Sequence, residues 1–225
     1  MKMKKLMSAA LAGVMALSMG ATTFASGTST ITDLSEGAEL ELTSITKGAT
    51  IRIAVPTSLT IGLNPYEMKV KLDNGKLVDD DTATGAQVIS PIYKLENQST
   101  LPIDVAISVA ATAEGVTLLT SGTTIPSTDT TKSAIVQMKY IAGQPSATEL
   151  TDLPSGTATA ITLDAANAVA GSKTATMAVP NDTTPTNSNL YFTFEGKLNK
   201  KAATAWTADD IVGATIAFTF TLNTK

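Results

Sequence analysis

Apolar residues in this chain recur at every second position through most of its length, and hardly anywhere at the three-to-four spacing of a helix. Side chains of a strand point alternately to its two faces, so this pattern confines the chain to sheets that bury one face and wet the other. Ala38, Leu40 and Leu42 alternate with Glu39, Glu41 and Thr43. Ile51, Ile53 and Val55 alternate with Arg52 and Ala54 until Pro56 ends the ladder, which predicts two strands joined near Lys47 and Gly48. Met68, Val70 and Leu72 alternate with Lys69 and Lys71. Asp73-Asn74-Gly75 then supplies the residues that accept positive φ in a tight hairpin, with a return over 76–78. Residues 88–95 and 103–109 form the clearest expected pair, joined by a turn over 97–102. Weaker alternation predicts strands at 134–141, 160–163 and 174–179. Leu190, Phe192 and Phe194 share one face opposite Tyr191 and Glu195, and Ile216, Phe218, Phe220 and Leu222 close the chain.

The segments 120–133, 143–159 and 181–189 are rich in Thr, Ser, Gly and Pro, and neither side of any of them carries a complete core, so they read as connections between strands. Helix is expected only at 164–170, where Asp164 is a candidate N-cap and Gly171 a stop, and for one turn at 207–210. Strands without alternating helices predict an all-β chain: an antiparallel β-sandwich, jelly-roll or Ig-like, of roughly ten strands with long Thr/Ser-rich loops.

The start of the chain has a different character. Lys2, Lys4 and Lys5 precede an apolar stretch from Leu6 to Met19, and Thr23-Phe24-Ala25 supplies the small-x-small pattern that signal peptidases accept. The stretch is broken by Ser8, Gly13 and Ser18 and falls short of the roughly 20 apolar residues of a spanning helix. Residues 1–25 are therefore expected to be a cleaved export signal. Residues 26–225 form one domain with a flexible N-terminal segment, 26–36, and no transmembrane segment. Cleavage removes three of the 16 basic residues and none of the 20 acidic ones, leaving a net charge of −7. Such a chain repels nucleic acid and anionic lipid.

Cysteine and histidine are both absent. Disulfides, thiolate zinc sites, and Ser-His-Asp, Cys-His and histidine-zinc chemistry are thereby excluded. Ser44-Ile45-Thr46-Lys47 matches S-x-x-K, but a strand end separates the two side chains that a helix would bring together, and no K-T-G segment accompanies it. Glu195 with Asp209 or Asp210 is the carboxylate pairing that glycoside hydrolysis would need. Asp73, Asn74, Asp79, Asp80 and Asp81 offer oxygens for calcium, although a solvated acidic loop is the plainer interpretation, since calcium takes roughly six to eight oxygens. Tyr191 and Trp206 are the aromatic faces on which a sugar would stack, against their alternative role as caps on a core opening. Leu153-Pro154-Ser155-Gly156-Thr157 has the wrong order for a wall-sorting signal and reads as a loop. The balance is a non-enzyme without an obligatory cofactor.

Three segments carry a family likeness: Val55-Pro56-Thr57-Ser58-Leu59, the run Ile89-Ser90-Pro91-Ile92-Tyr93-Lys94-Leu95-Glu96-Asn97, and the closing Ala217-Phe218-Thr219-Phe220-Thr221-Leu222. They resemble secreted surface and biofilm-matrix β proteins of Gram-positive bacteria. The last is similar to the terminal strand of WxL-type wall proteins, with Trp206-Thr207-Ala208 lacking that motif's leucine. The layout resembles fibre subunits of the TasA and camelysin type, and that resemblance implies a sandwich fold and exchange of a strand between neighbours. Independently of it, Ser26, Thr28, Thr30, Ile31, Thr32 and Leu34 have the strand propensity to pair with the edge of an adjacent subunit. The expected role is a structural subunit of an extracellular fibre or surface layer, a homo-oligomer or polymer at the cell surface. A carbohydrate-binding or adhesive module contacting wall or matrix polysaccharide is the alternative. N-terminal sequencing of the protein from culture medium is expected to begin at Ser26; a chain still beginning at Met1 would remove the export signal.

Overall fold

The computed structural model describes residues 11–14, 28–31, 40–43, 50–56, 59–73, 76–120, 122–125, 131–148, 150–163, 169–180, 186–200, 202, 206–207 and 211–223. Among them there is no helix, and sixteen strand segments form several mainly antiparallel sheets. In chain order they are β1 (Leu11–Val14), β2 (Thr28–Ile31), β3 (Leu40–Thr43), β4 (Thr50–Ala54), β5 (Thr60–Leu63), β6 (Val70–Asp73), β7 (Lys76–Asp79), β8 (Val88–Ile89), β9 (Tyr93–Asn97), β10 (Ile103–Glu114), β11 (Thr117–Leu118), β12 (Ser133–Gly143), β13 (Thr159–Leu163), β14 (Val169–Met177), β15 (Asn189–Leu198) and β16 (Ile211–Leu222). A four-stranded sheet runs β14-β10-β16-β2. A larger one runs β11-β12-β15-β9-β4-β3, with β13 also on β12. A third is β1-β5-β8, and β6-β7 is a hairpin.

The alternation seen in the sequence is the burial pattern of the long strands. Ile103, Val105, Ile107 and Val109 of β10 are fully buried, as are Ile216, Phe218 and Phe220 of β16 and Val136 and Met138 of β12. These faces of the two larger sheets, with Ile61 and Leu63 of β5, contribute to one buried cluster. Phe192 of β15 meets Phe218 of β16 at a ring-centroid distance of 5.7 Å, a contact made between the two sheets. Tyr93 stacks on the same Phe192 at 5.2 Å.

The expected hairpins at β3/β4 and β6/β7 form, with Leu40 opposite Ile53 and Val70 opposite Asp79. The expected pairing of 88–95 with 103–109 does not. Pro91 divides the first segment: β8 joins β5, while β9 joins the larger sheet beside β15 and β4. Proline cannot donate to a ladder, so the chain changes sheets there. β10 instead pairs with β14 and β16, and residues 97–102 form a crossover rather than a hairpin turn. Asn97 fixes that crossover from inside: its Nδ2 donates to the carbonyls of Leu101 (3.1 Å) and Ala178 (2.9 Å), and its Oδ1 accepts from Ser99 N (2.8 Å).

The helix expected at 164–170 is also corrected at its C-terminal end, because Val169, Ala170 and Gly171 belong to β14; 164–168 lie outside the described residues. Backbone bonding to β10, with Val169 opposite Ala110, supplies what a two-turn helix would have gained internally. β5 and the two-residue β11 are strands that alternation did not reveal. The segment 26–36, expected to be flexible, contains β2, paired with β16 from Phe218 to Thr221. Phe192→Ala is expected to lower unfolding stability by about 3–5 kcal/mol, measured by urea denaturation, because it removes a fully buried ring from the seam between sheets.

Candidate interaction edges

The residues proposed for small-ligand chemistry are engaged elsewhere. Tyr191 is 3% exposed and its hydroxyl donates to the carbonyl of Gln144 at 2.8 Å. It faces away from Phe192, and the residues after β12 fold over it, with Pro154 and Tyr191 both closing on Gly143. Trp206 is 5% exposed, and its Nε1 donates to the carbonyl of Asn199 at 2.9 Å. Both rings therefore fill space inside the molecule, where neither presents an open face. In each case a polar tip satisfied by a backbone carbonyl lets the ring be buried. Tyr66, at 52%, is the exposed large apolar side chain among the described residues.

Glu195 pairs with Lys139 across β12 and β15 at 2.6 Å; Asp209, Asp210, Ser44 and Lys47 lie outside the described residues. Asp80 accepts from Thr82 Oγ1 (2.6 Å) and Thr82 N (2.9 Å) and faces Lys71 at 3.3 Å. The Thr82 hydrogen bonds, helped by Lys71, hold its carboxyl below the usual aspartate range. Asp73 and Asp79 lie in the hairpin strands, Lys69 Nζ reaches the carbonyl of Asp81, and Asn74 lies outside the described residues. No group of three or more acidic side chains among the described residues is gathered to hold a cation. A cleft of about 220 Å³ lies among Ile92, Lys94, Ser146, Thr148, Leu150 and Tyr191, below the roughly 300–1,000 Å³ of ordinary small-molecule pockets.

What the fold does present is two strand edges covered by short strands from near the start of the chain. β16 pairs with β10 along its whole length, Ile211 to Leu222, whereas on its other side the described residues that pair with it are those of β2, from Phe218 to Thr221. Thr28, Thr30 and Ile31, three of the residues proposed for assembly, thus sit in the ladder on β16 of their own chain. Ser26, Thr32 and Leu34 lie outside the described residues.

The second edge belongs to β5. Thr60 N donates to Tyr93 Oη and Tyr93 Oη donates to Thr60 O, both at 2.6 Å, while Asn64 N donates to Gln87 O at 2.7 Å. Residues 60 and 64 thus direct their backbone groups to the β8 side. Alternation along a strand directs those of Ile61 and Leu63 to the opposite side, where β1 runs antiparallel with Leu11 opposite Leu63 and Gly13 opposite Ile61. The two faces of β5 are closed. Ile61 and Leu63 are in the core, and a Cβ on Gly62 would stand 2.6 Å from Leu77 Cδ2 of the β6/β7 hairpin.

No family model, curated protein or solved structure matches this chain.

Burial raises the Tyr93 hydroxyl above the ordinary tyrosine value, against the opposing effect of its bond with Thr60. A raised pKa in the folded state gives stability that is intact below the unfolded value and is lost as pH rises through the folded one. Tyr93→Phe is therefore expected to cost about 1–3 kcal/mol at neutral pH, because both backbone groups of Thr60 lose a partner. The gap between wild type and variant in urea denaturation narrows above about pH 10.

Proposed function

We propose that this protein is a secreted, non-catalytic structural subunit that assembles into an extracellular fibre or surface layer by pairing strands between copies. The two larger sheets form the layers of an antiparallel β-sandwich, and residues 26–225 make one domain. The single buried cluster drawn from Ile53 to Phe220 supports that architecture.

The observation that carries the functional proposal is the attachment of β2. A short N-terminal strand, joined to the rest of the chain through residues 32–39, is held by the edge of β16. An element held in this way can make the same ladder on an identical neighbour, and exchange of identical elements is a low-cost route to oligomers. Backbone pairing needs no reactive side chain, in keeping with a chain that has neither histidine nor cysteine yet keeps a closely patterned core. The negative charge of the segment after residue 25 is compatible with a soluble subunit before assembly.

Purified protein beginning at Ser26 is expected to form fibres or sheets in negative-stain micrographs, and the same protein lacking residues 26–36 to remain monomeric. Monomers alone from both proteins would overturn the proposal. Glycan-array binding by the monomer, with no assembly, would replace it with the carbohydrate-binding alternative.

A further inference from the structure

We infer that the β1-facing edge of β5 is a docking edge for a strand of a second copy of this chain, and that residues 11–14 are its temporary cover. The inference rests on the proposed removal of residues 1–25 and on the proposed assembly by strand pairing, and it adds a second edge, distinct from the β16 edge that β2 occupies.

Loss of β1 has a defined structural consequence. Ile61 and Leu63 would each be left with a backbone N–H and C=O that no other described strand reaches, since β8 lies on the opposite side of β5. These groups are not on a loop that can turn outward to water. With β1 in place Ile61 and Leu63 are 0% exposed and belong to the core cluster, and Leu77 roofs the Gly62 side; these side-chain contacts are what would hold β5 and the direction of its edge after β1 leaves. Tyr93 Oη holds Thr60 by both backbone groups, which fixes the strand at its start.

An edge left open in this way is normally defended by a charged residue, a proline or a bulge. Thr60-Ile61-Gly62-Leu63 has none of these, and its ladder to β1 is regular over all four positions. Of the edge strands, β3 and β14 contain Glu41 and Lys173, while β2, β8, β11 and β13 are five residues or shorter and uncharged, as β5 is. An undefended strand suits a position that is covered at every stage, first by the leader and then by a partner. β1 also lies against β16, so the edge it covers adjoins the strand to which β2 attaches. That proximity is why the occupant is a second copy: a neighbour drawn in by exchange of β2 arrives beside the edge that β1 has left. The leader then has a task besides export, which is to keep subunits apart until it is removed.

The test uses the full chain with a specific-protease site inserted between Ala25 and Ser26. Mass is followed by light scattering, and amide exchange at Ile61 and Leu63 by NMR. Uncut protein is expected to stay monomeric with both amides slow. Cutting is expected to speed their exchange about tenfold or more in dilute protein, to start association as concentration rises, and to return both amides to slow exchange in the assembled form. Leu11→Pro/Gly13→Pro removes the two N–H groups that face Leu63 and Ile61, and is expected to give association without cutting. Assembly of cut protein with Ile61 and Leu63 still in fast exchange would overturn the docking edge while leaving assembly by β2 intact. Association of uncut wild type as readily as cut protein, or continued slow exchange in dilute cut protein, would overturn the covering role. Failure of cut protein and of the proline variant to associate at any concentration would overturn both this inference and the assembly proposal.

Discussion

The contact between Phe192 and Phe218 is the point on which the rest of the molecule depends. Each ring stands on a strand flanked on both sides within its own sheet, and each is fully buried. A sheet with one apolar face is not stable alone in water, so both sheets depend on this shared seam. The seam extends outward through rings: Tyr93 stacks on Phe192, and Phe220 on Phe218 at 6.4 Å. Through Tyr93 it also reaches the third sheet, because the hydroxyl of that ring holds both backbone groups of Thr60. The position of β5, and with it the direction of its edge, follows from an aromatic stack in the core.

A second constraint is polar. At three of the places where the chain leaves one sheet for another, a buried asparagine occupies the corner. Asn97 bonds the crossover before β10. Asn64 donates to the carbonyls of Met68 and Ala86 and accepts from Met68 N, closing the bend after β5. Asn199 Nδ2 donates to Thr131 O at 2.7 Å, while its backbone N–H donates to Ser133 O and its carbonyl accepts from Trp206. A buried amide serves two or three backbone groups that have left their ladder, each of which would otherwise cost about 1–3 kcal/mol. These corners let short strands change partners while the backbone groups they serve keep a hydrogen-bond partner.

The individual strands were legible because burial on one face imposes a period of two, which β10, β12 and β16 follow closely and β15 follows from Phe192 onward. Their partners were not. The segments 88–95 and 103–109 have equally clear alternation and a turn-like connection, yet Pro91 and Asn97 send them to different sheets. Pairing is a choice among edges that all offer the same backbone groups, and period alone does not select one. Tyr191 and Trp206 illustrate the same limit at the level of a side chain. An aromatic on the outward face of a strand is a platform or a buried wedge according to whether a loop covers it, and the residues near Gln144 and Pro154 cover Tyr191. β5 was hidden because Gly62 erases the contrast between its faces, and Leu77, whose methyl group packs where a Gly62 side chain would stand, comes from the distant hairpin.

The amino-acid order alone determined the all-β class, the inward faces of the long strands and the absence of histidine and thiol chemistry, because each of these depends only on residue identity and on the two-residue repeat of a strand. The tertiary structure decided which edges are covered and by what: β2 on β16, β1 on β5, the Gln144 region over Tyr191. Backbone hydrogen bonds are the same for every sequence, so only the relative placement of distant segments by the packed core can settle which of them are made.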